Sequence, residues 1–173
     1  AGWMAGPVNG TGRMTRLALL TAVALTIFMA EAQLPAVTAV PGVKLGLANI
    51  VTVYAMFALE PRDALMVLFG RVFLGAVFSG QMMTLIYSAA GGLLSWCSLL
   101  LLRKLLSSEQ IWLASPAAAV FHNLGQLLAA AAVLRSWAVM AYLPYLVLAA
   151  VLAGLFTGVA AQALIKQLNK LQK

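Results

Sequence analysis

Charge is what this chain has least of. Four acidic side chains occur in 173 residues, one Asp (Asp63) and three Glu, and charged residues of both signs make up 9% of the sequence, against roughly a quarter in a soluble domain. A chain so short of charge cannot clothe a water-exposed surface. The acidic shortage also excludes chemistry, because no carboxylate pair is available for acid–base work or for holding magnesium against a diphosphate. The single cysteine, Cys97, excludes a disulfide framework and any cysteine metal spacing. With no nearby His on its apolar stretch, it reads as an inert core thiol. No Gly-Lys-Ser/Thr phosphate loop is present, which excludes ATP hydrolysis by that route. The reading is therefore of a protein that is not an enzyme and carries neither metal nor cofactor.

What the chain has in abundance is apolar surface: 64% of its residues are hydrophobic and the mean hydropathy is +0.99. Nearly every helical turn is apolar all round, as expected where the outer face meets lipid. The fold class is all-α, integral to the membrane. The net charge of +7 does not point to nucleic acid, since the basic residues are scattered near the ends of hydrophobic stretches, where they act as topology signals. Residues 1–13, Gly-rich and aperiodic, read as a native tail or an expression scar, and 14–173 as one transmembrane domain. Leu17 to Leu34 is too long, and too well followed by further spans, to be a cleaved signal peptide.

Punctuation by Pro, Gly and charge divides the chain into six expected helices, about Arg16–Gln33, Lys44–Leu59, Asp63–Gly80, Met82–Leu106, Ala114–Leu134 and Val139–Lys170, the second and third short for the ~20 residues a span requires. Ser115-Pro116 is expected to open the fifth. With a cytoplasmic N-terminus, the inner ends carry Arg13, Arg16, Arg62, Arg103, Lys104, Lys166, Lys170 and Lys173, and the outer loops only Lys44 and Arg135. The positive-inside rule then places both termini in the cytoplasm, in a cell membrane. Trp112, Trp137, Tyr142 and Tyr145 lie where interfacial anchors belong.

Small residues mark faces for close contact. Ala18, Ala22, Thr26 and Ala30 recur every four residues in the first helix, forming a ridge on which another helix can settle, inside the bundle or on a partner. Ser88, Gly91, Gly92, Ser95 and Ser98 in the fourth, and Ala150, Gly154 and Gly158 in the sixth, read as internal seams. The polar residues are fewer and more telling. Arg71, near the middle of the third helix, costs about 2.5 kcal/mol or more in hydrocarbon and should face the interior or a hydrated cavity. Its anionic partner is either Glu31 at the end of the first helix or a ligand phosphate or carboxylate, which a guanidinium binds bidentately. His122, Asn123 and Gln126 lie within a ~100° arc of the fifth helix. Asn49 and Thr52 occupy a compatible face of the second, below Lys44. These groups can line one site or simply fasten helices together.

The segment Val40-Pro41-Gly42-Val43-Lys44-Leu45-Gly46-Leu47-Ala48-Asn49-Ile50-Val51-Thr52, with the block His122-Asn123-Leu124-Gly125-Gln126, resembles a bacterial membrane family catalogued as heptaprenyl diphosphate synthase component I and as the Gx transporter family. The resemblance covers the chain from Met14 on. Prenyl diphosphate synthases hold magnesium with DDxxD motifs, and none occurs here, so under the first label the chain can be only a non-catalytic partner. The family is similar to the substrate-binding S components of energy-coupling-factor transporters. That likeness implies six helices with cytoplasmic termini, a small nutrient bound near the outer face, and an AxxxA ridge, matched by Ala18 and Ala22 with Thr26 in place of a further alanine, docked on a transmembrane coupling subunit driven by two ATPases. The expectation is an uptake protein whose site is lined by Glu31, Lys44, Asn49, Arg71, His122, Asn123 and Gln126, for a small anionic or amphipathic ligand. The competing expectation is a non-catalytic membrane subunit of isoprenoid or quinone metabolism or of flavin-linked electron transfer.

Overall fold

The computed structural model describes residues 10–33, 46–106 and 110–171, which are almost wholly helical with no strand among them. The helices are α1 (Gly10–Glu31), α2 (Asn49–Ala58), α3 (Pro61–Ser79), α4 (Met82–Leu105), α5 (Ile111–Leu134) and, after a 3-10 turn (Trp137–Tyr142), α6 (Leu143–Leu171). Four segments are long and apolar enough to cross a membrane: α1, α4, α5 and the run from Trp137 to Leu168 that includes most of α6. The chain is thus of the helical, multi-pass membrane class. α2, with ten residues, reaches about 15 Å, half of a ~30 Å hydrocarbon core.

Several boundaries differ from the sequence expectation, each for a local reason. α1 begins at Gly10, so that residues 10–13 are helical and Arg13 is drawn to Asp63 at the head of α3. α2 begins at Asn49 instead of Lys44, because Gly46 adopts φ +80, a left-handed conformation that glycine takes freely and that no helix continues through. α5 begins at Ile111, placing Pro116 within the helix at the cost of one intrahelical bond; the head of this helix is tied instead to α6, where Gln162 Oε1 accepts the Trp112 N–H at 3.2 Å. The last helix starts at Leu143, with Pro144 in its first turn, where proline suits the helix.

The expected internal seams are present. α4 meets α5 where Gly91 faces Gly125: a Cβ at Gly125 would lie 2.7 Å from the Ala90 carbonyl oxygen and 2.8 Å from Gly91 Cα, so only glycine permits this approach. α5 meets α6 where Gly154 and Gly158 lie against Pro116, Ser115 and Trp112, with Ser115 Oγ and Thr157 Oγ1 hydrogen-bonded at 2.9 Å. α1 packs on α3 through Thr21 against Gly70 and Phe28 against Gly75. The largest apolar core, around Val53, Met56, Phe57, Leu99, Ile111 and Ile165, surrounds α2, eight of whose ten residues are buried. Enclosure by protein is what permits a short helix with irregular backbone before it inside a membrane bundle. Cys97 departs from its expectation as a core thiol: it is exposed on the outer face of α4, where an apolar neighbourhood reflects lipid rather than protein.

Candidate functional site

The site is built where α2 begins. Gly46 lies against the imidazole of His122, a Cβ there falling 3.0 Å from its Cδ2 and 3.3 Å from its Nε2. His122 is near the middle of the 24-residue α5, so the head of α2 stands at mid-bundle. The leading N–H groups of α2 bond back to the turn before it, Asn49 N to the Gly46 carbonyl at 2.9 Å and Ile50 N to the Leu47 carbonyl at 3.1 Å, which leaves the amides of that turn to find acceptors elsewhere. Glu31, the last residue of α1, supplies them: its Oε1 accepts from Gly46 N at 2.6 Å and its Oε2 from Leu47 N at 3.0 Å. A buried carboxylate thus fixes the turn that leads into α2 from another helix, its charge lying near the positive end of the helix dipole.

Arg71 of α3 approaches the same point. It is 2% exposed, lies within electrostatic reach of both Glu31 and His122, and its Nε and Nη2 have no hydrogen-bond partner among the described residues. His122 Nδ1 is likewise buried without a partner. On its far side His122 packs against Gly91 of α4, whose missing Cβ would lie 3.3 Å from Cε1 and 2.8 Å from Gln126 Cγ. Polar groups from α1, α3 and α5 and the turn before α2 therefore meet in one buried region.

Of the residues expected to line a site, the structure brings together Glu31, Arg71 and His122, with Gln126 one turn away. Asn49 is buried beside them but engaged, donating from Nδ2 to Ser95 Oγ of α4 at 2.9 Å, its Oδ1 without a partner among the described residues. Asn123 points elsewhere: its Nδ2 donates to the Leu146 carbonyl at 3.1 Å, joining α5 to α6. The ~100° arc that grouped it with His122 is wide enough for the two to serve different neighbours. Thr52 is buried in α2, and Lys44 lies outside the described residues. Sequence reasoning missed the Gly46 and Leu47 amides, because it placed them within a helix; the positive φ of Gly46 has no signal beyond the glycine itself. It also read Ser95 only as part of a small-residue stripe.

The ridge expected for docking lies on the outer surface. Ala18, Ala22, Thr26 and Ala30 are all exposed, whereas Ala24, Phe28 and Glu31 on the opposite face are buried. Leu25, Thr26, Met29, Ala30, Gln33 and Phe78 line a shallow groove of about 520 Å³ between the ends of α1 and α3. This small-residue face is thus left uncovered by the described residues, unlike those of α4 and α6. No group of three or more His, Cys, Asp or Glu able to hold a metal occurs among the described residues.

Comparison with known proteins agrees with the resemblance read from the Pro41–Asn49 and His122–Gln126 segments. The family model described as heptaprenyl diphosphate synthase component I matches residues 20–164, a span that runs from within α1 to within α6 and takes in all of the polar cluster. No curated protein and no solved structure matches the chain. The multi-pass helical fold and this match together identify the chain as a member of the heptaprenyl diphosphate synthase component I family.

Proposed function

We propose that this protein is a substrate-binding membrane carrier of the S-component kind, taking up a small metabolite, with a bundle of six helical segments, both termini cytoplasmic, and no catalytic activity of its own. The observation that carries the reading is the meeting of Arg71, His122 and the Glu31-held turn before α2 in the buried interior, with polar atoms of Arg71 and His122 lacking partners among the described residues. A network that served only to fasten helices would be expected to satisfy its own donors, since each buried polar group left alone costs about 1–3 kcal/mol. Apolar walls around a few convergent polar groups are the usual form of a small-molecule site. The orientation is supported by the Arg13–Asp63 ion pair, which draws the basic start of α1 to the Arg62-bearing start of α3, as a common cytoplasmic side requires.

In this reading the Ala18–Ala22–Thr26 ridge docks on a transmembrane coupling subunit energised by ATPases. Its exposure supports that use, because the packing of the chain itself leaves it uncovered. The decisive comparison is between Arg71→Ala or His122→Ala and the wild type. Both variants should keep their folded, monodisperse form in detergent and lose the small molecules that co-purify with the parent. Loss of folding in both, with no cargo on the parent, would instead show that the cluster only fastens helices. Replacing Ala18 and Ala22 with Leu should abolish co-purification of a coupling subunit and leave cargo retention unchanged.

The family's description favours a second reading, a non-catalytic membrane subunit of isoprenoid or quinone metabolism. It predicts that prenyl-chain elongation by a partner synthase rises when this chain is added to membranes. An unchanged rate would remove it.

A further inference from the structure

Resting on the carrier reading, we infer that the cargo is gripped through a carboxylate laid on the Nε–Nη2 edge of Arg71, and that Glu31 is not a cargo contact but the internal anion that fixes the turn ahead of α2. The Nε–H and one Nη2–H of a guanidinium are parallel and match the two oxygens of a carboxylate. This protein already uses that edge elsewhere: Arg13 directs Nε and Nη2 to Asp63 Oδ1 at 2.9 and 2.6 Å. In Arg71 the same two atoms are buried and have no hydrogen-bond partner among the described residues.

Glu31 is the obvious internal claimant for that edge, being within electrostatic reach of Arg71. Both of its oxygens, however, lie on the Gly46 and Leu47 amides. Glu31 therefore lends its charge to the neighbourhood of Arg71 while a lone pair on each oxygen is directed to the backbone. This division decides the class of anion. Phosphate groups are typically bound by runs of backbone N–H at helix starts, and the run at this site is already taken: the Gly46 and Leu47 amides by Glu31, and the first amides of α2 by the Gly46, Leu47 and Ala48 carbonyls. The edge of Arg71 supplies two donors, which two carboxylate oxygens use fully and which leave a phosphate with a bare oxygen. Charge points the same way. Arg71 and Glu31 cancel, so a carboxylate adds one negative charge to a buried region and a phosphate monoester nearly two, where the low dielectric makes the second costly. His122 Nδ1, buried beside Arg71, offers a second polar point by which the cargo is oriented.

The test uses the full chain in lipid nanodiscs, with mass spectrometry of small molecules released on denaturation, for wild type and Arg71→Lys. Lysine keeps the positive charge near Glu31 but removes the paired donors, so the bundle is expected to hold while retention falls at least tenfold. Molecules enriched on the wild type should carry a carboxylate and no phosphate. Enrichment of phosphate esters lost from Arg71→Lys would overturn the carboxylate and leave the carrier reading standing; undiminished retention by Arg71→Lys would overturn the role of the fork. Where nothing co-purifies, benzoate and phenyl phosphate, which share one apolar body, make the same distinction by thermal shift. A rise in midpoint with benzoate, absent in Arg71→Lys, supports the inference. An equal or larger rise with phenyl phosphate overturns it, and no rise with either overturns it together with the carrier reading.

Discussion

Arg13 and Arg71 belong to helices packed on one another, and they show how differently one side chain is used at the end and in the middle of a membrane bundle. Arg13 is half exposed, at the start of α1, and its Nε–Nη2 edge is closed by Asp63. Arg71 is buried in α3 with that edge lacking a partner among the described residues, although Glu31 is within electrostatic reach. An ion pair at the end of a helix is solvated and screened, and such pairs contribute little to stability. A buried guanidinium is costly unless something is gained from it. The difference teaches that the arginine whose edge is paired can be kept at little cost, whereas the one whose edge is not paired carries a desolvation cost that the proposed binding role would account for.

That contrast can be broken or sharpened by substitution, beginning with the largest expected effect. Gly125→Ala places a Cβ 2.7 Å from the Ala90 carbonyl oxygen, forcing α4 from α5 and moving His122 off Gly91. Overpacking of this kind should cost about 3 kcal/mol, read as a lowered denaturation midpoint, and cargo retention should fall with it. Arg71→Met should reduce cargo affinity about 100-fold, equivalent to about 2.7 kcal/mol, while the midpoint of the cargo-free protein stays level or rises, as is common when a buried charge gives way to an apolar side chain. A midpoint that fell as far as the affinity would make Arg71 structural and erase the contrast. Glu31→Gln keeps shape but loses the charge that holds the turn before α2, and should lower stability by about 1–2 kcal/mol, read as a lowered midpoint; hydrogen exchange at Gly46 and Leu47 should accelerate. Arg13→Gln should have the smallest effect, a midpoint change within replicate scatter that vanishes in high salt.

Legibility from sequence followed the physics of each feature. Hydropathy and Pro-Gly punctuation sufficed for the long helices, because a lipid-facing span must be apolar along its whole length. The same signal marked α2 as short but misplaced its start, expected at Lys44 and found at Asn49: a helix buried on all sides is as apolar as one that faces lipid, so hydropathy does not separate it from the apolar turn ahead of it. Arg71, His122 and Gln126 were legible because polar side chains are conspicuous in such a chain. The role of Glu31 was not, since its partners are backbone amides that carry no residue type. Asn123 was misgrouped because adjacent positions on a helix differ by about 100°, which separates a site from a seam. Cys97 shows the same ambiguity of lipid and core, and only packing resolved it.

One further property belongs to the ridge of α1. Its single polar side chain, Thr26, donates its hydroxyl to the Ala22 carbonyl at 2.9 Å, so no donor is left waiting for a neighbour. Methyl groups and a self-satisfied hydroxyl are accommodated by acyl chains nearly as well as by a second helix. A partner helix docked at this surface, as proposed, would then be held by shape alone, with no buried polar group to fasten the two sides together. Such a face would bear being covered and uncovered repeatedly, leaving the fold unharmed between encounters.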